Sequence, residues 1–189
     1  MKLCARTLLF ASTLSSAAAY SIKPQNEVGR REMFQKVGAA AFLVAASPAN
    51  ALDGCPKGSN NCLTTKWTPP AGTDSSAAAS TLKKVIESYP QDGQNKVDLG
   101  GWTIVDDSFA PGKVASVEYK SGIGNFAKFF NGGKPFVDDL KLEIGADGAV
   151  DVKSSSRIGD SDLGVNQKRL AYIVESLRKE GWSAPDPKY

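Results

Sequence analysis

Hydrophobic positions along residues 52–189 repeat with two different periods. Leu82, Val85, Ile86 and Tyr89 fall at i, i+3, i+4 and i+7, which predicts one apolar stripe on a helix. Thr73 or Asp74 can cap its start and Pro90 ends it, while Lys83, Lys84 and Glu87 lie off the stripe on a solvated face. Leu170, Ile173, Val174 and Leu177 repeat the same spacing, predicting a second helix after Asn166 that Gly181 can terminate. Between the two, the period is two. Trp102–Asp106 is β-rich, and Ala115, Val117 and Tyr119 alternate with Ser116, Glu118 and Lys120. After Val137, Leu140, Leu142 and Ile144 alternate with Lys141 and Glu143, and the turn Ala146-Asp147-Gly148 leads into a return strand at Val150 and Val152. Short turns make consecutive strands antiparallel. The pattern predicts an α+β fold: an antiparallel sheet of about four strands, with two amphipathic helices packed on one face, over residues 74–182.

Three segments lack either period. Residues 52–73 are rich in Gly, Pro, Asn and Thr and read as an extended N-terminal arm closed by a cysteine pair. Residues 121–135 hold four glycines with Phe126, Phe129 and Phe130, read as a loop or short helix whose aromatic cluster is core or, if exposed, a patch for a membrane or protein partner. Residues 183–189, with Pro185 and Pro187, read as a loosely held tail.

The first 51 residues carry two further apolar stretches that read as address rather than fold. Residues 1–19 have Lys2 and Arg6, an apolar run from Leu8 and a small-residue end at Ala17-Ala18-Ala19, as a secretory signal peptide does. Residues 30–51 open on Arg30-Arg31, run apolar from Val37 to Ala46 and end Ala49-Asn50-Ala51, a twin-arginine signal with an A-x-A cleavage site. That run is shorter than the ~20 apolar residues a membrane span needs. Two signals in series imply two successive membrane systems. The junction Ala17-Ala18-Ala19-Tyr20 resembles the cleavage motif of plastid preproteins in diatoms and related algae, with Tyr where Phe is usual. That resemblance implies a plastid transit segment at 20–29, a thylakoid-lumen signal at 30–51 and a mature protein starting near Leu52, soluble or peripheral to the thylakoid membrane.

Cleavage there changes the charge. The label holds six of the chain's 23 Lys and Arg and two of its 20 Asp and Glu, so residues 52–189 carry 17 and 18 and a net charge of −1. No basic patch argues for nucleic acid. Cys4 leaves with the label, and Cys55 and Cys62 remain as a pair. In an oxidising compartment they read as a small disulfide loop; two free thiols or part of a metal site are the alternatives, although two thiolates do not fill a zinc shell. The chain has no histidine, which removes Ser-His-Asp and Cys-His catalysis and His-ligated metal sites. Neither a P-loop nor a dinucleotide-binding glycine pattern follows a strand. No metal and no cofactor are expected.

The densest polar stretch is Ser154-Ser155-Ser156-Arg157-Ile158-Gly159-Asp160-Ser161-Asp162-Leu163-Gly164-Val165-Asn166-Gln167-Lys168-Arg169. It resembles the Ser-x-Ser-Arg-x-Gly-x-Ser-Asp-x-Gly-x-Asn-x-x-Arg run of the family named domain of unknown function 1499. Asp138-Asp139 before an alternating strand and the Cys-Pro…Asn-Asn-Cys opening at 55–62 fit the same family, and Lys153 stands where many relatives have Arg. The resemblance spans roughly 55–178 and supplies no activity. The residues leave three readings open. Arg157, Asp160, Asp162 and Arg169 could form a buried or half-buried charge network, with Asp162 or Asn166 accepting from the amides of the last helix. Two arginines at a helix start also suit a carboxylate or phosphate, making Arg157, Asp160, Asp162, Asn166 and Arg169 a candidate binding site. Asp160 and Asp162 as a catalytic dyad is the third. The functional expectation is a non-enzymatic auxiliary or peripheral protein of a photosynthetic thylakoid complex, such as a photosystem. The runner-up is a module binding a small ligand, an anion or lipid, in a cavity between sheet and helices; an enzyme comes third.

Overall fold

The computed structural model describes residues 52–189. The three targeting segments expected at 1–19, 20–29 and 30–51, and the cleavage after Ala51, lie outside the described residues. The elements are β1 (Cys62–Trp67), α1 (Ser75–Glu87), β2 (Trp102–Asp106), β3 (Lys113–Lys120), α2 (Asn125–Phe130), β4 (Val137–Ile144), β5 (Val150–Ser156) and α3 (Val165–Lys179). The strands form one antiparallel sheet in the order β1-β5-β4-β3-β2. The fold is α+β, as the two periods require.

The sheet holds five strands rather than four, because part of the supposed arm is β1. Leu63 and Trp67 face inward while Thr64 and Lys66 face water, and the strand zips antiparallel onto β5, Leu63 opposite Ser154 and Trp67 opposite Val150. Its alternation is short and holds a threonine at the central inward position, so the surrounding Gly, Asn and Pro obscure it. Asp74 caps α1 by accepting from the amides of Ser76 and Ala77, as its position before the stripe predicts. Between β4 and β5, Gly148 has φ +80°, and an added Cβ would come within 3.2 Å of the Ala78 Cβ on α1. Glycine there admits the turn conformation and lets the hairpin approach the helix.

Helices α1 and α3 cover one sheet face. Leu82, Ile86, Leu170, Ile173, Val174 and Leu177 pack against Val117, Leu140, Leu142, Ile144, Val150 and Val152, all essentially without solvent exposure. The opposite face is wet and carries the ion pairs Lys66–Asp151 and Arg157–Asp139. The tail is held rather than loose. Thr68 and Ser183 exchange backbone hydrogen bonds, Trp182 and Ala184 are buried, and Gln167 Nε2 donates to the Pro187 carbonyl. No helix among the described residues is long and apolar enough to cross a membrane.

Candidate functional site

Apolar residues fill the inner sheet face except at one end. There the row across four strands reads Trp102, Tyr119, Asp138 and Ser156. Arg169 of α3 descends onto this row. Its guanidinium lies 4.4 Å from the centre of the Tyr119 ring, a cation–π geometry. It donates to Asp98 through Nε and Nη2, at 2.8 and 2.5 Å, and Nη2 also donates to Asp138 at 2.6 Å. Nη1 donates to Asn166 Oδ1 at 2.6 Å and to Ser154 Oγ at 3.4 Å. Arg169 has no exposed surface, and Asp98, Asp138, Ser154 and Asn166 are buried with it. A buried charge is tolerable only when it is paired and hydrogen-bonded on this scale.

Burial alone would lower the Arg169 pKa, but the bonds and charges of Asp98 and Asp138 outweigh it, so the guanidinium is held above its ordinary value. Tyr89 donates to Asp98 at 2.7 Å. Burial first, and the Asp98 charge second, push its hydroxyl well above the usual tyrosine range. Burial raises Tyr119 in the same direction.

The polar run after β5 wraps over this end. Asp162 Oδ1 accepts from the amide of Gly164 at 2.9 Å and Oδ2 from that of Asn166 at 2.8 Å, so it satisfies the free amides at the start of α3. Asn166 then ties layers together, donating to Asp162 Oδ2 at 2.6 Å and to Ser156 Oγ at 3.1 Å while accepting from Ser154 and Arg169. Tyr189 closes from outside, its hydroxyl 2.5 Å from both oxygens of Asp162. Burial and that bond raise its pKa. Cys55 and Cys62 are joined by a disulfide, and the loop they close grips the same run. Asn61 Nδ2 donates to the Gly159 carbonyl, Ser156 N to the Asn61 carbonyl, and Asp162 N to the Asn60 carbonyl.

Between this run and the α2 segment lies a cavity of about 390 Å³. Phe130, Phe136, Ile158, Leu163 and Val165 form its apolar walls, and Ser121, Ser156, Ser161, Asp138 and Asp162 supply its polar lining. The walls reach into solvent: Phe130 is 62% and Leu163 72% exposed. Phe129, 83% exposed, packs edge-to-face on Phe130. The aromatic residues described here, Phe129 and Phe130, are therefore a surface patch rather than core. Their helix is one and a half turns long and lies outside the two-helix layer, with Gly132 and Gly133 behind it. Leu163 sits at φ +55°, a left-handed conformation that costs a leucine ~1–2 kcal/mol.

The five residues singled out in the polar run separate. Asp162, Asn166 and Arg169 are linked in one chain of hydrogen bonds. Asp160 is exposed in the loop and takes no part in it. Arg157 is not paired with Asp160 or Asp162; it lies on the outer face, 45% exposed, bonded to Asp139 at 2.7 and 2.9 Å and to Glu118. Its bonds to Asp139 and then Glu118 hold its pKa above the ordinary value. The reason is parity. Ser154 and Ser156 point inward from β5, so the residue after them continues the outer row, and its amide still bonds the Val137 carbonyl.

Sequence reasoning missed Asp98 and Tyr89, which belong to the network. Asp98 is far from the run in sequence and sits at φ +56° in a polar turn, with no local period to mark it. Among the described residues, no group of three or more His, Cys, Asp or Glu side chains is placed to hold a metal ion.

No curated protein and no solved structure shows a significant match to the chain. The family described as a protein of unknown function, DUF1499, matches residues 45–177, ending in the last turn of α3, and thus takes in the disulfide loop, both consecutive aspartates of β4 and the whole polar run. On that match, over well more than half its length, the chain belongs to the DUF1499 family.

Proposed function

We propose that this protein is a non-enzymatic binding module that holds a small amphiphilic molecule in the cavity beside Asp138. One observation carries the reading: costly apolar surface surrounds a pocket that holds a few polar groups. Leu163 takes a strained backbone conformation and yet presents most of its side chain to solvent beside Ile158 and Phe130. Strain retained where packing does not repay it points to use. The volume lies in the range of small-molecule sites, which are apolar with a few placed polar groups. Beneath it the Arg169 network fixes the lining, so the pocket is preformed.

The two successive signals of residues 1–51 support a site of action in the thylakoid lumen of a plastid. A second reading has its own support. The exposed Phe129, Phe130 and Leu163 also suit a peripheral or auxiliary protein seated on a photosynthetic membrane complex. One experiment addresses both. The protein is recovered from thylakoids under native conditions and weighed by mass spectrometry before and after denaturation. A small non-covalent mass lost on denaturation supports the binding module. Co-migration with a sized photosystem complex and no small adduct supports the second reading.

A further inference from the structure

The polar lining of the cavity combines serine hydroxyls with two carboxylates and carries negative charge. Among the described residues, no lysine or arginine lines it; its polar side chains are Ser121, Ser156, Ser161, Asp138 and Asp162. Arg169 lies directly beneath but is sealed, with no exposed surface and with Nε and both terminal nitrogens engaged by Asp98, Asp138, Asn166 and Ser154. Arg157 is on the far side of the sheet. Asp138 gives one oxygen to Arg169 and keeps 10% of its side-chain surface, at the cavity. The buried group of Arg169, Asp98 and Asp138 has two formal negative charges against one positive. Asp162 adds a third carboxylate, satisfied by neutral donors: two amides, the Asn166 side chain and Tyr189.

We infer that the cavity selects an amphiphile whose head donates hydrogen bonds and bears no negative charge, with Asp138 the carboxylate placed to accept from it and Asp162, whose oxygens are already engaged, adding its charge. The inference rests on the cavity being a binding site. It narrows the earlier expectation of an anion or lipid, because the two arginines that would have held an anion do not converge there. A carboxylate or phosphate head would lose its water beside carboxylates that outnumber their one cation, with that cation sealed away from it. A hydroxyl head needs only an acceptor and is cheaper to desolvate. An ammonium head would in addition offset the excess negative charge, in a cavity that Phe130 and Phe136 line. Hydroxyl and ammonium share the donor chemistry.

The test uses one chain length with three heads. Decanol, decylamine and decanoate are titrated separately into the purified protein at neutral pH, and binding is read by calorimetry and by amide shifts of residues 156–165. Decanol and decylamine are expected to bind, and decanoate at least about tenfold more weakly, equivalent to about 1.4 kcal/mol. Whichever of decanol and decylamine binds more tightly identifies the hydroxyl or the ammonium as the natural head. Decanoate binding as tightly as the others would overturn the selectivity and leave the binding module standing. No binding of any of the three, with the fold intact, would overturn the binding module itself.

Two variants make the lining less negative without removing a core residue. Asp162→Asn keeps one of the two oxygens that accept from the helix amides, and should weaken decylamine by about tenfold while improving decanoate. Ser161→Lys, on the exposed rim, should recruit decanoate. If both variants fold and neither shifts the ranking of heads, the assignment of the selectivity to the carboxylates is wrong.

Discussion

Asp138 and Asp139 are consecutive on β4, and each holds an arginine on a different face of the sheet. Asp138 points inward and accepts from Arg169 at 2.6 Å; Asp139 points outward and takes a two-pronged bond from Arg157 at 2.7 and 2.9 Å. The pairs look alike in sequence but differ in solvent. Arg169 is fully buried, whereas Arg157 is 45% exposed.

Arg169→Ala leaves Asp98 and Asp138 buried without their cation, and is expected to cost about 3–5 kcal/mol. Arg157→Ala loses a solvated pair and is expected to cost no more than about 1 kcal/mol. Urea denaturation of the two variants beside the parent checks this. Equal losses would mean that the outer pair is far stronger than its exposure allows.

Leu163→Gly relieves a left-handed leucine that buries little of itself. Stability should hold or rise by up to about 1 kcal/mol, because glycine adopts that conformation freely. Binding of any amphiphile should weaken, since a wall of the cavity is gone. A variant that is less stable and binds as before would remove Leu163 from the functional account.

Tyr119 serves Arg169 with its ring, while its hydroxyl is buried without a hydrogen-bond partner. Tyr119→Phe keeps the ring under the guanidinium and deletes the unsatisfied group. Stability should be unchanged or raised by up to about 1 kcal/mol. A loss above that, measured by thermal melting, would reveal a partner for the hydroxyl that the geometry does not show.

Much of this architecture was legible in the chain. Leu82 to Tyr89 and Leu170 to Leu177 announce their helices because a stripe at period 3.6 has one reading at that length, and Leu140 to Ile144 announces its strand likewise. The polar run also announced itself, through density. What it could not announce was which side each residue faces. Arg157 lies one step beyond the inward Ser156, and that parity becomes firm only when the end of β5 is known. Asp98 was invisible because it is selected by tertiary approach alone. Its turn has no period, and its partner lies on another element. Phe129 and Phe130 could be read either way, because their glycine-rich segment has no period to mark a buried side; they are exposed.

Alkali should unfold the protein cooperatively. The hydroxyls of Tyr89 and Tyr119 have folded pKa values raised above the ordinary tyrosine value of 10.0, chiefly by burial. A raised folded value means the folded state keeps protons that the unfolded chain gives up. The associated stability is complete below pH 10 and declines as pH rises beyond it. Phenolate absorbance at high pH should therefore appear together with loss of near-ultraviolet circular dichroism. Smooth ionisation of every tyrosine with the fold intact would contradict the burial.

Reduction of Cys55–Cys62, or a double Cys→Ser variant, should cost about 2–3 kcal/mol on the chain-entropy view of so short a loop. Its local effect should be larger than its global one. Asn60 and Asn61 grip residues 156–162, so amide exchange there should accelerate while α1 stays protected. Uniform acceleration across the domain would show that the loop has no special hold on the cavity wall.

Among the described residues β1 is the first strand, and it pairs with β5, which follows every other strand. The segment that leaves the ribosome earliest among the strands must therefore wait for the one that leaves last. Until then Leu63 and Trp67 have no sheet to rest on, and the final zipping requires closure of a loop that contains most of the domain. The disulfide is local to one end and cannot shorten that search. Completion of the sheet, the Asn60–Asn61 grip and the closed cavity wall should thus arrive together as the late, slow event of folding, and a nascent chain lacking β5 should have neither the fifth strand nor the site.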